Sequence, residues 1–113
     1  MKDMSQKSTH AGEETLSLSL AVQYQDGGIV SRTIINKGSG NLTLFAFDAG
    51  QELSEHTTPY EALLYVVEGE AQVSIESRQH KLESGDLIQL PANVPHAVKA
   101  TQRFKMMLVM FRE

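Results

Sequence analysis

Hydrophobic and polar residues alternate along most of this chain with a period of two. The run from Thr15 to Leu20 places three leucines on one side, and the runs 41–47 and 71–76 alternate in the same way. This period is typical of half-buried β-strands, in which successive side chains point to opposite faces. Two further apolar-rich runs, 87–90 and 103–111, also predict strands.

Turn residues separate these runs and predict how the strands are connected. Turn signals occur at four places: Asp26–Gly28, Lys37–Gly40, Asp48–Gly50 and Ser84–Asp86. The first two flank a further predicted strand at 29–35. The sequence Glu68-Gly69-Glu70 predicts one more turn, which would join the apolar run before it to strand 71–76 as a β-hairpin. No segment has helical periodicity. Short strands with frequent turns predict an all-β sandwich or barrel.

Length and composition fit a single globular domain. The chain has 113 residues, of which 41% are hydrophobic and 21% charged. Such a composition can bury one core without disulfides or a structural metal. Residues 1–14 are polar, so we expect a mobile N-terminal tail there and one barrel domain over residues 15–113.

Charge and cysteine content exclude several classes of function. The formal net charge is −4 with both signs scattered, so no basic patch is expected for nucleic acid or an anionic membrane. The absence of cysteine excludes disulfides, thiolate zinc sites and cysteine nucleophiles. The first residues lack the apolar region of a secretory signal, and no apolar run is long enough to span a membrane. We therefore expect a cytoplasmic protein.

Two segments combine glycine and histidine at a defined spacing. In the first, Gly50 is followed after five residues by His56; in the second, Gly85 is followed after five residues by Pro91 and then by His96. These two segments, in this order on an all-β pattern, resemble the two motifs of the cupins. The resemblance implies a double-stranded β-helix, or jelly-roll, barrel.

The second motif departs from the usual cupin pattern at one structural position. Asn93 stands where cupins usually have glycine. Asparagine tolerates a positive φ better than most residues, so we expect Asn93 to adopt the same backbone conformation.

The resemblance also implies a metal site, which this chain matches only in part. In metal-dependent cupins, two histidines and a glutamate of the first motif and one histidine of the second bind a single ion. Here only His56 and His96 match, while Thr58 and Ala62 stand at the second histidine and the glutamate positions. Glu61 comes one residue before the glutamate position and should point to the opposite face of its strand.

This reduced ligand set leaves three functional hypotheses. In the first, which we favour, the barrel binds a small molecule, with His56 and His96 as polar anchors and Thr58 and Ala62 in the pocket wall. In the second, the protein is a metal-dependent dioxygenase or isomerase in which water and substrate complete the shell of a divalent iron, manganese, nickel or zinc ion. Metal sites normally use at least three protein ligands, which weighs against it. In the third, it is a sensor or interaction module.

Apolar residues on a second strand face predict a further contact. Leu63, Tyr65 and Val67 alternate out of phase with Ala62, and the run 104–111 is apolar on both faces. Such residues need cover from another sheet or from a partner. Small cupins are commonly dimers, so the resemblance implies a homodimer.

Overall fold

The structure, a computed structural model, describes residues 15–112 and confirms an all-β barrel. Within that range no helix is long and apolar enough to cross a membrane. The predicted tail, residues 1–14, lies outside the described residues. The described strands are β1 (Ile29–Lys37), β2 (Gly40–Phe47), β3 (Glu52–His56), β4 (Glu61–Ile75), β5 (Arg78–Glu83), β6 (Leu87–Leu90), β7 (His96–Lys99) and β8 (Phe104–Phe111).

The strands form two antiparallel sheets that share β4. In the first sheet the order is β1-β2-β8-β4, and β6 pairs with the first half of β4. In the second sheet β7 lies between β3 and the second half of β4, which also pairs with β5. The inner faces of both sheets enclose one core, in which the rings of Phe47 and Phe104 stack with their centroids 4.5 Å apart.

The hairpin predicted at Glu68-Gly69-Glu70 is wrong, because β4 runs through this segment without reversing. The strand has 15 residues, with a register shift between Val66 and Glu68 and a φ of 82° at Gly69. Even-numbered residues point inward before this irregularity, as at Val66, and odd-numbered residues point inward after it, as at Val73. A β-bulge bends a strand and changes its phase, so β4 can pass from one sheet to the other and face the core in both.

The chain reverses later, between β4 and β5. Glu76 and Ser77 have φ values of 50° and 70°, and the residues on either side of them, Ile75 and Arg78, are paired. Two central residues with positive φ are the feature of a type I′ turn, which matches the twist of the strands that it joins.

The strand predicted over Thr15–Leu20 is also wrong. Residues 18–20 form a turn, next to which the amide of Ala21 donates to the carbonyl oxygen of Ser17 at 2.9 Å. We call residues 15–24 the N-terminal strap, because Leu18, Ala21 and Val22 pack on the outer face of the first sheet. Of the three leucines in the run, Leu18 packs on the sheet, whereas Leu16 and Leu20 are exposed, and none of them belongs to a strand.

A buried lysine anchors the strap. Lys105 is 5% exposed and points to the outer face of β8, where its ammonium donates to the carbonyl oxygen of Ser19. The ammonium lies 4.8 Å from the centroid of the Tyr24 ring and 3.9 Å from a carboxylate oxygen of Glu68. The Tyr24 hydroxyl donates to the same carboxylate oxygen at 2.7 Å, and burial together with this carboxylate raises the pKa of Tyr24. These contacts compensate the desolvated ammonium.

Replacement of Gly69 by alanine tests the crossing of β4. A Cβ atom there would overlap the carbonyl oxygen of Arg103 and lie 2.8 Å from the Cα of Phe104. We expect Gly69→Ala to lower the free energy of unfolding by roughly 2–5 kcal/mol, because the positive φ costs alanine about 1–2 kcal/mol and the overlap about 1–3 kcal/mol. Urea denaturation measures this loss.

Gly50→Ala is the matched control, since Gly50 has a φ of 87° but no atom within 4 Å of the added Cβ. The free energy of unfolding of Gly50→Ala should fall by only the cost of the positive φ, about 1–2 kcal/mol. Equal losses in the two variants would contradict the close crossing at Gly69.

Candidate functional site

The structure brings the two motif histidines together as neighbours on adjacent strands. His56 ends β3, His96 begins β7, and the two are paired in the register of the second sheet. Their ring centroids are 4.4 Å apart, and the ring planes meet at 63°. The two imidazoles therefore form one polar cluster, although the residues lie far apart in the sequence.

The two rings differ in their exposure to solvent. His96 is 6% exposed and points to the same face of β7 as the core residue Val98. His56 is exposed, while Leu53 on the same strand packs against the core. The pair thus connects the barrel interior with the surface.

Backbone carbonyl groups fix the tautomer of both imidazoles. The Nδ1 atom of His56 lies 2.8 Å from the carbonyl oxygen of Ser54, and that of His96 lies 3.2 Å from the carbonyl oxygen of Val94. A carbonyl oxygen only accepts, so each Nδ1 carries the proton and donates it. In the neutral ring the Nε2 atom then keeps a free lone pair. The site therefore presents two acceptor nitrogen atoms.

His96 stays neutral at physiological pH. Burial is the main reason that its pKa lies below the ordinary 6.5, and the nearby His56 ring adds to this effect. The hydrogen bond to Val94 acts in the opposite direction and is outweighed. Burial and a like charge both disfavour the imidazolium, so the free Nε2 atom persists.

Thr58 joins the loop that follows one histidine to the loop that precedes the other. Its carbonyl oxygen accepts from the amide of Asn93 at 2.7 Å, and its hydroxyl accepts from the amide of Tyr60 at 3.3 Å. Asn93 has a φ of 64°, which confirms the positive φ expected at this motif position. Through its backbone, Thr58 thus holds together the two loops beside the histidines.

Neither Ala62, at the glutamate position, nor Glu61, one residue before it, replaces the missing carboxylate. Ala62 is buried in the core, where it pairs with Leu90 and Met110. The carboxylate of Glu61 accepts from the side chain of Gln89 at 3.0 Å and from the backbone amide of Ala92. Glu61 is therefore held by groups of β6 and the loop after it.

The donor set does not fit a tightly held metal ion. Within residues 15–112, no group of three or more histidine, cysteine, aspartate or glutamate side chains is arranged to hold one. The two imidazoles supply two nitrogen ligands, whereas zinc and non-haem iron sites normally have three protein ligands.

A separate groove lies on the outer face of the second sheet. It has a volume of about 160 Å³, and its lining includes Gln72, Ser74, Gln79 and Lys99. These residues point away from the core, because Gln72 pairs with Lys99 and the inward residue of β7 beside it is Val98. The groove is therefore on the opposite side of the sheet from the histidine pair.

Comparison with known proteins identifies the family. A family model described as the cupin domain matches residues 43–111, which include both histidine segments. The chain belongs to the cupin family. A search of curated proteins gave no match.

Several solved structures are similar to this chain over most of its length. A conserved protein of unknown function from Streptococcus pyogenes is 30% identical, with a TM-score of 0.85 and 89% of each chain covered. A cupin 2 conserved barrel domain protein from Leptotrichia buccalis is 35% identical with a TM-score of 0.83, over 86% of this chain and 47% of that one. Salicylate 1,2-dioxygenase from Pseudaminobacter salicylatoxidans is 21% identical with a TM-score of 0.70, over 75% of this chain and 26% of its own. The last likeness concerns the fold alone.

Sequence reasoning missed the groups that orient this cupin's histidines. The Ser54 and Val94 carbonyl groups each precede their histidine by two residues. The sequence contains this spacing, but any residue type could supply a carbonyl group, so composition offers no signal.

The structural role of Lys105 was also missed, because a single lysine in an apolar strand does not show what covers it.

The low pKa of His96 predicts that stability depends on pH. In the unfolded chain a histidine titrates near 6.5, so between the lowered folded value and 6.5 the unfolded state binds more protons. The stabilisation is fully present above about pH 6.5 and is lost as the pH falls through the folded pKa. We expect the free energy of unfolding, measured with urea, to decrease from pH 7.5 to pH 5.5.

Two variants assign this effect to His96. His96→Asn should reduce the pH dependence, whereas His80→Asn on β5 should retain that of the wild type. A wild-type profile that is flat, or that His96→Asn leaves unchanged, would show that the buried imidazole is not its source.

Proposed function

We propose that this cupin binds a small molecule through hydrogen bonds to the Nε2 atoms of His56 and His96. One observation carries the proposal: each ring donates its Nδ1 proton to a backbone carbonyl group, so both rings present a lone pair. The ring centroids are 4.4 Å apart, so one ligand can contact both rings.

The surroundings of the histidines define the chemical class of the ligand. Acceptor nitrogen atoms require a donor, such as a hydroxyl or N–H group, and the neutral imidazole of His96 does not require a charged partner. Leu53 and Val94 lie near the pair in sequence, and both pack against the apolar core. We infer a ligand with an apolar body and at least one donor group, such as a phenol. In this proposal Thr58 and Ala62 belong to the pocket wall.

A second candidate is a metal-dependent enzyme, either a dioxygenase or an isomerase. The observation that favours it is the same Nδ1 bond, because metal-binding histidines commonly donate their other ring N–H to a carbonyl or carboxylate group. The fold likeness to salicylate 1,2-dioxygenase also suggests it. We place it second because only two side chains of the family's ligand set are present.

A panel of phenols and aliphatic alcohols, tested by thermal shift and calorimetry at pH 7.5, examines the first candidate. Compounds that bind should lose about 5–10-fold in affinity in either His56→Phe or His96→Phe, since one hydrogen bond contributes about 1 kcal/mol. His80→Phe is the control and should bind as the wild type does. Ligands that bind both variants undiminished would refute the proposal.

Metal content separates the two candidates. In untagged protein dialysed against metal-free buffer, elemental analysis should find iron, manganese, nickel and zinc well below one ion per chain, because two imidazoles hold an ion weakly. One ion per chain that disappears in the His56→Ala/His96→Ala variant would instead favour the metal-dependent enzyme.

A further inference from the structure

Three polar residues lie together on the inner face of the first sheet. Thr43 is 9% exposed and shares one face of β2 with Phe45 and Phe47, which pack in the core region. Its hydroxyl oxygen lies 3.2 Å from that of Thr33, the residue paired with it on β1. The Thr43 hydroxyl also donates to Oδ1 of Asn41 at 3.4 Å. We call Thr33, Asn41 and Thr43 the threonine cluster.

The strands beside the threonine cluster are apolar on the same face. Leu108 of β8 is paired with Thr43, and Leu64 of β4 is paired with Leu108. Leu64 is buried in the core, and Leu108 packs against it. Two threonines on neighbouring strands are common in antiparallel sheets, so their pairing alone does not indicate a function. The deciding observation is where the cluster lies relative to the histidine pair.

Two connections between the sheets lie together at one end of the barrel. One connection joins β2 to β3, and the other joins β7 to β8. The amide of Gly50 in the first donates to the carbonyl oxygen of Ala100 in the second at 2.7 Å. The amide of Ala100 in turn donates to the carbonyl oxygen of Gln51 at 2.9 Å. All four strands are therefore held at one level, from which positions along them can be counted.

The threonine cluster and the histidine pair lie at similar heights above this end. Thr43 lies four residues before Phe47, where β2 ends, and His56 lies four residues after Glu52, where β3 begins. At about 3.3 Å per residue, both are roughly 13 Å from the connections. The irregularity of β3 before His56 changes this height by about one residue. His96, the partner of His56, points inward from its sheet as Thr43 does from the other, so the two groups face each other across the barrel.

The two walls offer different hydrogen-bonding groups. The Nε2 atom of neutral His96 only accepts. In the threonine cluster, the Thr43 hydroxyl donates to Asn41, so the Thr33 hydroxyl donates to Thr43 and both oxygens keep lone pairs. The amide nitrogen of Asn41 carries two donor hydrogens in addition. The histidine wall therefore suits a donor, whereas the threonine wall suits a hydroxyl group, which both donates and accepts.

We propose that the threonine cluster is a second polar subsite of the ligand pocket, opposite the histidine pair. This inference rests on the proposed function, because it concerns the same ligand. The ligand then has polar groups at two opposite edges of an apolar body: a donor that contacts an Nε2 atom and a hydroxyl group that contacts Thr43. Leu64 and Leu108, which flank the cluster, contact the body between them. A phenol with a second hydroxyl group on the far side of its ring has this chemistry.

Two probes of nearly equal size test this subsite. The compounds para-(hydroxymethyl)phenol and para-ethylphenol differ only in a hydroxyl or a methyl group at the end opposite the phenol. Calorimetry gives the dissociation constant of each for the wild type and for Thr43→Val, which removes the hydroxyl and keeps nearly the same shape. The preference for the hydroxymethyl compound over the ethyl compound should fall about fivefold in Thr43→Val, since it loses one hydrogen bond. The affinity for para-ethylphenol should stay close to that of the wild type.

Further variants separate this inference from the proposed function. Thr43→Ser keeps the hydroxyl and should retain the wild-type preference, as should Thr101→Val, a control in the connection between β7 and β8. If His96→Phe weakens the binding of para-ethylphenol while Thr43→Val leaves the preference unchanged, the subsite is refuted and the proposed function stands. An equal fall in Thr101→Val would also overturn the subsite. If neither probe binds the wild type at millimolar concentration, the proposed function fails and this inference fails with it.

Discussion

The close passage of Gly69 against the backbone of β8 is the constraint on which the barrel depends. Without a side chain at this position, β4 can cross from the first sheet to the second beside Arg103 and Phe104. The accompanying register shift changes the phase of the strand, so its inner face is apolar in both sheets. One core results, and the second half of β4 pairs with β7, which brings His96 to its inward position.

The histidine pair is ordered by contacts that involve no carboxylate. The cross-strand pairing and the two carbonyl hydrogen bonds place and orient both imidazoles without any carboxylate. Burial keeps His96 neutral. The Nε2 atoms of the pair are therefore turned away from these carbonyl groups, and the two rings supply only two side-chain nitrogen ligands for an ion. The lack of a carboxylate beside the two imidazoles, rather than the fold, bears on the function of this protein.

The two outer faces of the molecule have different physical requirements. The outer face of the second sheet presents polar side chains such as Gln72, Ser74 and Lys99. The first sheet buries Lys105 and several apolar residues beneath the strap, with the ammonium compensated by Tyr24, Glu68 and the Ser19 carbonyl group. The rest of that face carries both apolar side chains, such as Leu63, and the polar pair Glu61 and Gln89.

The sequence by itself determined most strands and singled out the two distant histidines, whose cross-strand pairing the structure shows. Alternation and turn residues located β1, β2, β6 and β8, and the motif spacing identified His56, His96 and the positive φ of Asn93. Other features required the tertiary structure, because one local pattern fits two arrangements. Glycine with positive φ suits a hairpin turn as well as a bulge, so Gly69 was misread. Alternating leucines predict a strand, but only Leu18 of the run packs on the first sheet, and Leu16 and Leu20 are exposed, so the contact with the sheet rather than the alternation decides how the segment folds.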